Sequence, residues 1–157
     1  MLPFTQLKGI EKPKITNLPA IVSDGEVGGE QPTNQVSVFF SKLFEARQMA
    51  HIFHLQAQGE GSGWKHAALN TFYDEVLSLT DELIETYQGQ YGIVEGYETI
   101  NPSEAQKMEA LDYIKDFANF IKSNRMQIPS EDTHLHNIVD EIVALVYKTI
   151  YKLTYLK

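Results

Sequence analysis

The chain has no cysteine, a single tryptophan and only six prolines. Without cysteine there are no disulfides and no thiolate metal sites, which suits a reducing compartment, and a cytoplasmic location is the expectation. No apolar run is long enough to cross a bilayer, and the first residues lack the charged segment and continuous apolar block of a secretory signal. Cationic residues are also scarce. Thirteen Lys and Arg face 21 Asp and Glu, for a formal charge of −8, which disfavours nucleic acid as a partner because nonspecific binding relies on cations that displace counterions from phosphate. There is no internal repeat, no glycine-rich nucleotide loop and no alternating strand pattern.

What the chain does contain is helical periodicity. With 157 residues and 43% hydrophobic side chains it is large enough for one core. Four of the six prolines and four of the ten glycines fall in residues 1–32, which read as an irregular N-terminal arm ahead of a bundle over 33–157. Lys8, Lys12 and Lys14 in the arm are opposed by Asp24, Glu26 and Glu30, while Leu2, Phe4, Leu7 and Ile10 suit an arm laid on a neighbouring subunit.

Within 33–157 the fold expected is all-α, with four helices. Val36, Phe40, Leu43, Ala50 and His54 share one face of the first; Leu69, Phe72, Val76, Leu79 and Leu83 form the stripe of the second. Gly59-Glu60-Gly61-Ser62-Gly63 separates them, with Ser62 placed to cap the second. Gln88 to Pro102 reads as a connection long enough to cross to the far end of the bundle. Ser103 to Gln106 then spells a capping box ahead of Met108, Leu111, Ile114, Ala118 and Ile121. After Ser123 to Pro129, the acids Glu131 and Asp132 open a last helix that buries Leu135, Ile138, Ile142, Leu145, Val146, Ile150 and Leu153. Two short hinges and one longer crossover suit a ferritin-like four-helix bundle.

Chemistry concentrates between Glu45 and Tyr91, which hold three of the five histidines. His54 and His66 flank the glycine hinge and can approach each other. Asp81 and Glu85, spaced i, i+4, project from one face of the second helix. At about 1.5 Å per residue, His66 and Asp81 lie roughly 22 Å apart along one straight helix, so they cannot share a metal ion within one subunit. Two copies packed antiparallel along this helix would bring the histidine end of one to the carboxylate end of the other.

These residues resemble the Dps-type miniferritins. In that family a histidine ends the first long helix, a glycine follows five residues on, a second histidine follows at twelve, and an acidic pair lies fifteen and nineteen residues further. His54, Gly59, His66, Asp81 and Glu85 keep those separations. His51 stands three residues before the first histidine, as in some members, and Asn70 occupies a position that is usually acidic or histidine. The resemblance implies a homo-oligomer, a dimer at least and up to a dodecameric shell, that oxidises Fe(II) with peroxide and stores the ferric product. His54 and His66 from one chain, with Asp81 and Glu85 from its partner, would be both catalytic and metal-binding. Iron would be the metal, and with Asn70 and His51 only as supporting groups the second iron position is expected to be weak or empty.

Plainer readings stand beside these. His54 alone suits a hydrogen-bonded bundle histidine, and Asp81 with Glu85 a wet helix face. Glu82, about 100° round the helix, suits solvent. His134 and His136 point to different sides without an assigned role, and Trp64, Tyr73 and Tyr87 suit packing. The competing function is a noncatalytic ferritin-like scaffold that binds a protein partner or builds an assembly.

Overall fold

The computed structural model describes residues 33–105 and 107–156. The arm expected over residues 1–32 lies outside them. The described residues hold helices α1 (Thr33–Leu55), α2 (Ser62–Tyr91), a single turn α3 (Pro102–Ala105), α4 (Ala110–Asn124) and α5 (Thr133–Tyr155). A 3-10 turn, Arg125–Gln127, joins the last two.

The four long helices pack in a ring: α1 on α2, α2 on α5, α5 on α4 and α4 on α1. Two contacts give their directions. Lys65 near the start of α2 pairs with Glu109, just ahead of α4, at 3.5 Å; Gln90 and Tyr91 at the end of α2 bond Asp132, just ahead of α5. So α1 and α5 run one way, α2 and α4 the other, and every neighbouring pair is antiparallel. This is the all-α four-helix bundle expected, with one long crossover between α2 and α4.

That crossover must travel the length of α2, roughly 45 Å for its 30 residues, and residues 92–109 have a reach of about 60 Å when extended. It is pinned on the way. Val94 is buried and its N–H donates to Gln88 Oε1 at 3.0 Å, while the Glu98 N–H donates to Ser41 Oγ at 2.8 Å. Ser41 in turn donates to the Ser37 carbonyl at 2.7 Å, so this buried hydroxyl is satisfied on both sides.

The core is aromatic at its centre. Phe39, Phe40, Phe72 and Phe117 are fully buried with Leu43, Leu69, Leu83, Ile114 and Leu135. Each such side chain contributes about 1.5–3 kcal/mol relative to exposure. Phe72 meets Phe117 edge-on at 6.2 Å and Phe39 stacks on Phe120 at 6.0 Å, which ties α2 and α1 to α4.

Helix ends differ from the expected ones. Ser62 is the first residue of α2, not its cap; Gly61, at φ 74°, takes the cap position and no side chain bonds the free amides. The capping box does not open the third long helix, which starts at Ala110. Instead Asn101 caps the α3 turn, its Oδ1 accepting the Ser103 N–H at 3.1 Å and hydroxyl at 2.7 Å, with Pro102 in the first helical position. Gln106, the other half of the expected box, is outside the described residues. Helix α2 also runs on through Gln88 and Gly89 to Tyr91, because Gly92 adopts φ 89° and ψ 176°, a conformation that stops the helix.

A histidine clasp at the hinge

His54 lies in the last turn of α1 and His66 near the start of α2, and the hinge folds them together. Their rings stack with centroids 3.6 Å apart and planes 27° from parallel. The contact is reciprocal: His54 Nδ1 bonds the His66 carbonyl at 3.0 Å, and His66 Nδ1 bonds the His54 carbonyl at 3.1 Å. A carbonyl oxygen only accepts, so each Nδ1 carries the hydrogen and each Nε2 is left as a lone-pair donor in the neutral ring. Metal-binding histidines are commonly set this way, with the other ring nitrogen donating to a backbone carbonyl. His54 is buried at 7% exposure while His66 is open to solvent, so the pair spans the surface.

Aromatic groups extend the cluster. His51 stacks on Tyr73 at 4.5 Å, and Tyr73 meets His54 edge-on at 5.2 Å. The Arg47 guanidinium sits 5.5 Å from the centre of the Tyr73 ring. Its Nε is buried without a hydrogen-bond partner among the described residues. Tyr73 donates its hydroxyl to Asn70 Oδ1 at 3.0 Å, and Asn70 donates from Nδ2 to Asp74 Oδ2 at 2.9 Å. Asn70 therefore bonds an acid one turn further along α2 rather than supplying one. Arg47 and Asp74 were not singled out by the sequence reading, although each stands four residues from a residue that was, His51 and Asn70 respectively, on the same helix face.

Asp81 and Glu85 are both exposed on α2, as expected of an i, i+4 pair. They continue a stripe that begins with His66, Asn70, Asp74 and Leu77, at steps of four, four, three, four and four, exposed throughout except at the half-buried Asn70. Leu77, 37% exposed, is a large apolar side chain near its middle. No three histidine, aspartate or glutamate side chains converge on one point among the described residues. Within one chain the imidazoles at the hinge end and the carboxylates farther down the helix are thus separate. Glu82 is exposed, as expected. Trp64, expected to pack, is 56% exposed, whereas Tyr87 is buried edge-on against Phe40 at 5.4 Å.

The opposite end of the bundle has its own polar network, which corrects the reading of His134 and His136 as idle. Asp132 is buried and accepts hydrogen bonds from the Tyr91 hydroxyl and from Gln90 Nε2, the latter at 2.9 Å. His134 Nε2 bonds Gln90 Oε1 at 3.0 Å; His136 Nε2 donates to the Pro129 carbonyl at 3.1 Å while its Nδ1 accepts from Arg125 at 3.4 Å. The Tyr91 bond, then that of Gln90, holds the Asp132 carboxyl below its ordinary range. The same bond to Asp132 pushes the Tyr91 phenol up to about 12.

By fold and site, then, this is an antiparallel four-helix bundle with a reciprocal histidine clasp at one end and an Asp132-centred clasp at the other. The chain belongs to a family of unknown function, DUF5856, whose model matches residues 62–153. The matched span contains His66, Asp81 and Glu85 and begins after His54. No curated protein and no solved structure matches the chain. None of the described helices is long and apolar enough to cross a membrane.

Proposed function

We propose that the protein binds Fe(II) as a substrate between subunits and oxidises it, storing the ferric product in a homo-oligomer in the manner of the miniferritins it resembles. The observation that carries the reading is the clasp. Both imidazoles have Nδ1 committed to a backbone carbonyl, so in each neutral ring the lone pair is on Nε2, the nitrogen these bonds leave uncommitted. Imidazole and carboxylate together suit iron. The carboxylates would be the partner subunit's Asp81 and Glu85, brought to the clasp by antiparallel pairing along the α2 stripe, in which the ends of the stripe exchange places. Two ferrous ions giving one electron each would reduce one peroxide to water, with protons drawn from solvent. Asn70, bonded to Asp74 and Tyr73, is a weak second ligand.

Adding Fe(II) and then peroxide to the anaerobic protein tests this. Ferric absorbance should rise above the protein-free blank, and His54→Ala and Asp81→Ala should each remove that excess. Oxidation at the blank rate in the unmodified protein would sink the proposal.

The engagement of Asn70 with its own helix favours a second reading, in which the bundle is a noncatalytic scaffold for a protein partner or an assembly. Iron binding without oxidation, or neither, would point there.

A further inference from the structure

Helix α5 carries exposed aromatics on its outward face. Tyr147, Tyr151 and Tyr155 recur every fourth residue with 57%, 57% and 70% of their surfaces exposed, and the last two rings pack at 5.3 Å. Residues four apart share a helix face, so these form a continuous ridge opposite the buried side of α5. Apolar ridges of this kind on an otherwise polar surface mark interaction sites.

The charges along the same face decide what fits it. Asp140 and Glu141 precede Ala144 by four and three residues, Lys148 follows it by four, and all of these positions are exposed. Turned end for end about Ala144, the face presents opposite charges to itself. We infer that α5 docks against α5 of a second copy, antiparallel, with the two helices crossing at Ala144.

In that register Lys148 of each copy lies opposite the acids at 140 and 141 of the other. Tyr147 lies opposite Glu141, where its hydroxyl can donate to the carboxylate, and Tyr151 opposite Asn137. The alanine methyl at the crossing lets the helices approach closely. Glu141 and Lys148 form no ion pair within the chain among the described residues, so their charges are available to a partner. Asp140 does pair with Arg125 at 3.0 Å, and its side chain remains 59% exposed. A single-stranded nucleic acid could stack on tyrosines, but the two acids beside Lys148 and the net charge of −8 oppose it. One helix pair covers less than the roughly 800 Å² per partner of a standard interface, so the association should depend on concentration. The seam lies on α5, where Glu141, Ala144 and Lys148 border a groove shared with Asp74, Glu75, Ser78 and Leu79 of α2; it uses none of the proposed iron ligands and does not rest on the iron reading.

The absence of cysteine makes the test clean. In full-length Ala144→Cys a residue on the twofold axis meets its own copy within disulfide reach, so mild oxidation should give a linked dimer on a denaturing gel. Tyr155→Cys should not, because the symmetry separates its copies by roughly 33 Å along the seam. In parallel, Glu141→Lys and Lys148→Glu should each shift sedimentation toward smaller species, and the double exchange should restore the original distribution. Cross-linking at 144 no faster than at 155, or no restoration by the double exchange, would overturn the inference. So would retention of single-stranded DNA that Lys148→Glu abolishes while position 144 stays unlinked. Asp81→Ala should leave the 144 link intact, so failure here and failure of the iron reading remain distinguishable.

Discussion

The clasp at His54 has two jobs that mutation can separate. Its Nδ1–H closes the hinge against the His66 carbonyl, and under the proposed function its Nε2 would bind Fe(II). Alanine removes both. The lost hydrogen bond costs about 1 kcal/mol, and the emptied space at a residue only 7% exposed, with the stack on His66 gone, costs about another 1 kcal/mol. For a domain of this size roughly 2 kcal/mol corresponds to a Tm fall of roughly 4–8 °C. Asparagine is different. Its side-chain N–H reaches about where Nδ1 sits and nothing replaces Nε2. His54→Asn should therefore hold most of the wild-type Tm yet lose Fe(II) binding, while His54→Ala loses both. Calorimetry and Fe(II) titration on the same three proteins measure the split. If alanine left Tm unchanged, or asparagine fell as far as alanine, the hydrogen bond would not be what closes the hinge.

Two more outcomes follow from the far end of the bundle. The folded pKa of Asp132 is depressed, so its stabilisation is present above the ordinary value of 3.8 and is lost as pH falls from there through the folded value. Asp132→Asn should flatten the acid limb of a urea-midpoint profile, and a limb of unchanged steepness would refute the assignment. Gly92 combines φ 89° with ψ 176°, and an added Cβ would meet no atom within 4 Å, so Gly92→Ala should cost about 1–3 kcal/mol of denaturation free energy from backbone conformation alone. A neutral result would mean that the α2 end relaxes.

The helices were legible because their buried residues keep the helical period: Leu69, Phe72, Val76 and Leu83 in α2, and Leu135, Ile138, Ile142 and Val146 in α5, are all buried. The ends were less so. A Ser-x-x-Gln pattern does not say whether a helix of four residues or fifteen follows it, and the expected connection from Gln88 begins later because Gly89 is accommodated on an exposed helix face. The nearness of His54 to His66 followed from the short hinge, and the shared face of Asp81 and Glu85 from their spacing. The reciprocal Nδ1 bonds did not, since they depend on ring rotation that spacing cannot reveal. Asp132 was read only as a helix-start acid because its partners Gln90 and Tyr91 lie some forty residues away in sequence, where only the packing of α2 on α5 brings them close.

The most direct test of the central claim uses two disabled chains. One carries His54→Ala and His66→Ala, the other Asp81→Ala and Glu85→Ala, and each alone should fail to oxidise Fe(II). Refolded together, they form mixed dimers in which one of the two sites unites intact histidines with an intact acidic pair, and peroxide-dependent oxidation should return. A mixture as inactive as its components, with mixed dimers shown to be present, would contradict a site shared between subunits.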